Sequence, residues 1–194
     1  ALPGEEYKEV GRDREESKEA IKLLSEAGYD RFNCDNGTYD AWYWAHPPIY
    51  RPENCNLEAV EEIKKYTDKP VVCAGRLDPF VASKAIEEGK LDGAGFARPF
   101  LADPHWVTKR KEGHRDDIRP CICCHNGCFN RAHYKGHSND QSLTDSLHRS
   151  RCAVNAETRQ TTKHYIEKTK SPKKVVIIGG GIGGREAARV LKLR

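Results

Sequence analysis

The stretch KPVVCAGRLDP, residues 69–79, decides the fold. Val71, Val72, Cys73 and Ala74 form an apolar run with no polar alternation, the pattern of a strand buried on both faces in a parallel sheet. Asp78 followed by Pro79 is a helix start, with a side-chain cap and then a residue whose missing N–H costs nothing in the first turn. That helix is predicted to run to Gly89, and LDGAGFA, residues 91–97, then makes a further strand. The same alternation lies upstream. Asp13 with Glu16 forms a capping box, and Ile21, Leu24 and Ala27 follow at helical spacing up to Gly28. YDRFNCD, residues 29–35, reads as a strand closed by the turn signal Asp35-Asn36-Gly37. Asn56 is placed to cap a helix carrying Leu57, Val60 and Ile63, and Asp103-Pro104 offers another helix start. Helices alternating with apolar strands predict an α/β fold with a parallel sheet covered on both faces. Periodicity does not decide whether that sheet is open or closed.

Composition narrows the function classes. With 37% hydrophobic and 32% charged residues, the 194-residue chain has the balance of one or two globular domains. No apolar run reaches the roughly 18 residues that cross a bilayer, and the first residues lack the basic start and apolar stretch of a secretory signal. A membrane partner is not expected, and a cytoplasmic location is the default. The net charge of +4 is spread along the chain without a basic block, so a nucleic-acid partner is not expected either. The chain has no methionine and stops inside the first helix of a new unit, which reads as an internal piece of a longer protein.

From Arg115 to about Ser171 the chain turns polar, and CICCHNGC, residues 121–128, places four of the eight cysteines there. A segment so poor in apolar residues builds little core, and metal ligation can fix it instead. The spacing is Cys121-x2-Cys124-x3-Cys128, with Cys152 further on. Thiolates this close in one curled loop suit an iron–sulfur cluster or zinc. A reducing compartment disfavours disulfides, while His125 or His133 could complete a zinc tetrahedron, and inert or redox-sensing thiols are a third reading. Cys123 is read as facing away. Cys34, Cys55 and Cys73 are read as ordinary packed or loop cysteines.

Three further groups carry chemistry. Gly179, Gly181 and Gly184 satisfy G-x-G-x-x-G between a predicted apolar strand at 174–178 and a helix, a loop that lets backbone approach a pyrophosphate. The acidic residue that would separate NAD from FAD is expected beyond Arg194. Gly75-Arg76 and Ala97-Arg98 each follow an apolar strand, as phosphate-binding loops do after the last two strands of a (β/α)8 barrel; unrelated surface salt bridges are the competing reading. The loop TYDAWYWAHPPIY, residues 38–50, gathers Trp42, Tyr43, Trp44, His46 and Tyr50, either to cover a ligand or to pack on itself. His46 is the candidate catalytic residue, placed to donate a proton or orient a substrate carbonyl, unless it only braces the loop before its two prolines.

The order GFARPFLADP, DDIRPCICCHNGC, CAVNAET and KKVVIIGGGIGGREAA resembles the flavin and iron–sulfur branch of the old yellow enzyme superfamily. That branch includes 2,4-dienoyl-CoA reductase, 2-enoate reductase, trimethylamine dehydrogenase and the bile-acid oxidoreductases, and the aromatic loop looks most like the enoate-reductase and bile-acid type. The resemblance implies that residues 1–114 are the C-terminal third of an FMN-binding (β/α)8 barrel, 115–170 a 4Fe-4S segment, and 171–194 the first βα unit of a Rossmann-like FAD domain. It implies FMN phosphate contacts at Gly75, Arg76, Ala97 and Arg98, cluster ligands at Cys121, Cys124, Cys128 and Cys152, and an FAD loop at Gly179, Gly181 and Gly184. It further implies that NADH or NADPH reduces FAD, that single electrons pass through the cluster to FMN, and that hydride then reaches the β-carbon of a small unsaturated substrate. His46 lies near the position of a proton-delivering histidine. The stretch between Cys128 and Cys152 is longer than in many relatives; since doubling a flexible loop adds only about 0.6 kcal/mol of closure cost, Cys152 remains a ligand and about His133 to Ser150 an excursion. The alternatives are an amine dehydrogenase of the same fold, with Trp42 to Trp44 caging a cation, and a non-catalytic zinc or thiol-switch module. Homo-oligomerisation is left open, and the isolated 194 residues are expected to be inactive.

Overall fold

The computed structural model describes residues 12–38, 41–132, 150–160 and 167–193. His133 and the excursion expected after it, apart from Ser150, lie outside the described residues. Three parallel strands, β1 (Phe32–Cys34), β2 (Val71–Ala74) and β3 (Gly93–Gly95), form one sheet in the order β1-β2-β3. Phe32 pairs with Val71 and Cys34 with Cys73, while Cys73 pairs with Ala94 and Ala74 with Gly95. Sequential neighbours without a reversal are the order that a closed barrel requires.

Helices fill the intervals. α1 (Arg14–Glu26) carries the expected capping box: Asp13 accepts from the Glu16 N–H at 2.8 Å, and the Glu16 carboxylate accepts from the Asp13 N–H at 3.0 Å. α2 (Trp42–Ala45) is a single turn inside the aromatic loop. α3 (Leu57–Lys64) buries Ala59, Val60 and Ile63, and α4 (Pro79–Glu87) buries Ala82 and Ala85. Asp78 caps α4 as predicted, accepting from the N–H groups of Phe80 and Val81. α5 (Arg98–Ala102), α6 (Trp106–Lys111), a 3-10 turn at Arg115–Asp117 and α7 (Phe129–Ala132) lead into and past the cysteine loop, and α8 (Ile182–Leu193) ends the described chain.

Phe32, Val71 and Cys73 point to the helices and join Ile21, Val60, Ile63, Ala82, Ala85 and Leu91 in the core. At about 25 cal/mol per Å² of apolar surface removed from water, this cluster is the main source of stability. Asn33, Ala74 and Gly95 point to the opposite face and line a cavity. Helices cover one face of the sheet, and the other, which carries Asn33, Val72, Ala74 and Gly95, borders this cavity.

Three expectations change. Asn56 occupies the N-cap position of α3 but makes no capping bond; its amide is fully buried and donates to the carbonyls of Trp44 at 3.2 Å and Ala74 at 3.0 Å. Asp103 is not the N-cap of α6, which starts at Trp106 after His105; its carboxylate accepts from the His105 N–H just ahead of that helix and also from Lys109 and the Arg119 N–H. The strand predicted at 174–178 is not formed among the described residues; Val176 and Ile178 are exposed, and no described strand lies alongside to supply ladder partners. No described helix is long and apolar enough to cross a membrane.

Candidate functional site

The C-terminal ends of β2 and β3 build the floor of the site. Gly75 follows β2 at φ +111°, where a side chain would be strained and would also collide with the buried Asn56 amide. Asn56 therefore ties three things together: the end of β2, the start of α3 and the aromatic loop through the Trp44 carbonyl. After β3, Phe96 packs against Trp106 with ring centroids 5.1 Å apart, and Ala97 leads directly into α5 at Arg98. Gly75, Arg76, Ala97 and Arg98 all line one cavity of about 800 Å³, together with His46 and Asp35. That volume lies within the range of small-molecule and cofactor sites, about 300–1,000 Å³. Asp35 was read only as a turn residue; it faces this cavity, and burial raises its carboxyl pKa.

The two arginines are engaged with the loop above them. Arg76 donates from Nη1 to the carbonyls of Pro48 at 3.3 Å, Ile49 at 2.9 Å and Arg51, and its Nη2 lies 3.6 Å from the Glu53 carboxylate. Arg98 donates from Nη1 to the Pro47 carbonyl at 2.8 Å and meets Nε2 of His125 in the cysteine loop. Burial lowers the His125 pKa to about 4, with the Arg98 and His46 charges acting in the same direction, so the ring is neutral beside the guanidinium at neutral pH.

The aromatic loop packs on itself at Trp42, Tyr43 and Trp44, while Ile49 and Tyr50 stay exposed. The Arg51 guanidinium lies over one face of the rings of Tyr43 at 4.5 Å and Trp44 at 4.0 Å. Trp42 turns the other way, with its centroid 4.9 Å from His46 and 5.5 Å from Phe129. His46 is half-buried between them, on the cavity wall.

The four cysteines singled out by spacing come together. Cys121, Cys124, Cys128 and Cys152 line one small cavity, beside Arg98 and His125. Left-handed backbone at Cys123 (φ +52°) and His125 (φ +58°) curls the loop. The distant Cys152 is drawn in because Arg151 N–H donates to the Gly127 carbonyl, and a side chain at Gly127 would stand 2.8 Å from the Arg151 carbonyl oxygen. No three His, Cys, Asp or Glu side chains among the described residues stand close enough to hold a single metal ion. A tetrahedral zinc needs sulfurs about 2.3 Å from one point, whereas a multi-iron cluster has ligands spread around its body. Four free thiols from two stretches of the chain line this one cavity, a donor set that either centre would draw on.

Cys123 faces away from the four-thiol cavity, whose lining does not include it. It lines the larger cavity with Cys121 and Cys128, because its left-handed backbone turns it off the path of its neighbours, and its N–H donates to the Cys121 sulfur at 3.4 Å. Cys73 behaves as read: fully buried behind the sheet, its thiol is pushed up to about 12 by burial and stays protonated. Gly179, Gly181 and Gly184 stand apart from the cavity residues, at the start of α8. Gly184 lies against the Gly179 carbonyl so closely that a Cβ there would overlap it, which is the close turn-to-helix approach that the third glycine of such a loop permits.

Residues 3–117 match the NADH:flavin oxidoreductase / NADH oxidase family. The chain is 42% identical over 194 residues to cinnamate reductase of Clostridium sporogenes, covering all of this chain and 27% of that protein. It is 34% identical over 186 residues to NADH oxidase of Thermoanaerobacter brockii, covering 95% of this chain and 27% of that one. Its fold superposes on 2-naphthoyl-CoA reductase in complex with 2-naphthoyl-CoA with a TM-score of 0.72 at 28% identity, over 91% of this chain and 26% of that structure. The chain thus spans about a quarter of the length of each of these relatives. On the family match over its sheet-forming half, the chain belongs to the NADH:flavin oxidoreductase / NADH oxidase family, in the old yellow enzyme and enoate reductase group.

Proposed function

We propose that this chain is the flavin-phosphate and iron–sulfur part of an NAD(P)H-dependent oxidoreductase that reduces a carbon–carbon double bond conjugated to a carboxylate, thioester or ketone. The observation that carries the reading is the shared cavity: the ends of β2 and β3 form one side of it, Cys121 and Cys128 another, and Arg98 touches both. In this reading Gly75, Arg76, Ala97 and Arg98 hold the phosphate of FMN, with Arg98 supplying the charge. Arg76 contributes through its backbone at the tight turn, since its guanidinium is bonded to the 48–51 loop. Cys121, Cys124, Cys128 and Cys152 hold a 4Fe-4S cluster, and Gly179, Gly181 and Gly184 approach the pyrophosphate of FAD.

When bound, these groups supply hydride to the alkene and single-electron passage between two flavins that exchange pairs. The chain's residues supply position and protons. His46, half-buried on the cavity wall, is fixed by Trp42 and Phe129 so that its ring can orient a substrate carbonyl or donate a proton. Cinnamate reductase and 2-naphthoyl-CoA reductase bear names of unsaturated acid and thioester substrates, which supports an activated alkene as the substrate class. The amine reading has weaker support from the aromatic loop, because Arg51 lies on one face each of Tyr43 and Trp44. Two anaerobic assays of the polypeptide carrying this chain test the reading: NADH and NADPH oxidation with cinnamate-type acids, enoyl thioesters or unsaturated steroid ketones as acceptors, and reduction of an added one-electron dye with dimethylamine as donor. Alkene-dependent turnover with saturated product supports it; oxidation of the amine without alkene reduction overturns it.

A further inference from the structure

The turn that ends α5 receives hydrogen bonds from both sides of the cysteine site. The Leu101 carbonyl accepts from Asn155 Nδ2 at 3.0 Å and from Thr158 Oγ1 at 2.7 Å. The Asp103 carboxylate accepts from the Arg119 N–H at 3.0 Å, two residues ahead of Cys121, and the Ala102 carbonyl receives the Arg119 guanidinium at 3.4 Å. Asn155 uses both ends of its amide, since Oδ1 also accepts from the Glu157 N–H at 3.1 Å, so its orientation is fixed. Asp103, Asn155 and Thr158 are 3%, 4% and 7% exposed, and a buried polar side chain in such a place is costly unless bonded.

Cys121, Cys124 and Cys128 share one short loop, but Cys152 arrives after a long separation in sequence. Without an anchor, the entropy of bringing it to the site would be charged against metal binding. Asn155 and Thr158 lie just after Cys152 and fasten that segment to α5 through hydrogen bonds in which no thiol takes part.

We propose that Asn155 and Thr158 are positioning residues that hold Cys152 at the site before iron arrives, making α5 the template on which the fourth ligand is set. This rests on the iron–sulfur reading above and adds to it which residues deliver the last thiol. The test is the Asn155→Ala/Thr158→Val double variant of the polypeptide carrying this chain, reconstituted with iron and sulfide without oxygen, beside the parent, Thr158→Ser and Cys152→Ala. Iron and flavin per chain are measured, and electron paramagnetic resonance is recorded after oxidation with ferricyanide. The parent is expected to hold four irons. The double variant is expected to fall to three, with the paramagnetic signal of an oxidised three-iron cluster, the same signature as Cys152→Ala, and unchanged flavin. Thr158→Ser, which keeps the hydroxyl, is expected to stay at four. Each single variant, Asn155→Ala or Thr158→Val, is expected to release iron to a chelator about tenfold faster than the parent, so the proposal stays testable if the double variant does not fold. Four irons and parental release rates in the variants would overturn the clamp, as would loss of all iron where Cys152→Ala loses one. A parent without iron would instead overturn the iron–sulfur reading itself.

Discussion

Arg98 and His125 meet across the boundary between the sheet-forming part and the cysteine loop, and the same Arg98 nitrogen also donates to the Pro47 carbonyl beside His46. One guanidinium thus joins the end of β3, the aromatic loop and the thiol site. Lysine keeps the charge but not the planar fork that serves several partners at once. Arg98→Lys is expected to weaken flavin binding at least about tenfold, the equivalent of one charge-assisted hydrogen bond. Titration of the deflavinated protein with FMN, followed by fluorescence quenching, measures this; unchanged affinity would remove Arg98 from the phosphate site.

Asp103 carries a pH prediction. Burial pushes its carboxyl up, but the Lys109 ammonium and the N–H groups of Arg119 and His105 outweigh that and hold it below the usual carboxylate range. A carboxylate with a depressed folded pKa adds stability that is present above its unfolded pKa of about 3.9 and is lost as pH falls through the lower folded value. Asp103→Asn is expected to cost about 2–3 kcal/mol at neutral pH, the loss of a buried charge-assisted network. It is also expected to flatten the stability profile on the acid side. Urea unfolding of both proteins between pH 3 and 7 reads both effects.

The turn at Gly75 and the amide of Asn56 form one unit. Gly75→Ala would put a side chain at φ +111° and into the Asn56 amide, and is expected to cost about 3 kcal/mol or more. Asn56→Ala leaves the Trp44 and Ala74 carbonyls without that donor and is expected to cost about 2–4 kcal/mol. Because each change disturbs the same contact, the double variant is expected to lose less than the sum, which a double-mutant cycle by denaturant unfolding measures.

Arg51 stacks on Tyr43 and Trp44, and its removal opens the aromatic loop. Arg51→Ala is expected to cost about 1–2 kcal/mol and to shift tryptophan emission to the red as Trp44 gains water. If emission stays put, the loop is held by other contacts.

What could be read beforehand and what could not divide along physical lines. The capping box at Asp13, the cap and proline at Asp78-Pro79 and the apolar run of β2 are local signals, set by neighbouring residues, and they place the sheet. The gathering of Cys121, Cys124 and Cys128 is local too. Asn56 and Asp103 act largely through partners distant in the chain and Arg51 through ring faces, and no periodicity encodes such a partner; Asn56 and Asp103 therefore carry only the signatures of a cap and a helix start. Asp35 was hidden because a turn-forming residue and a cavity-lining one have the same sequence signature.

The central claim is that this chain places a four-thiol cluster site against a flavin site, and composition of the purified polypeptide tests it most directly. Iron, acid-labile sulfide, zinc and flavin are measured after isolation without oxygen. The account predicts about four irons and four sulfides per chain together with FMN, because a 4Fe-4S cluster and a barrel flavin have that stoichiometry. Zinc without iron or flavin would contradict it, reducing CICCHNGC to a structural clasp.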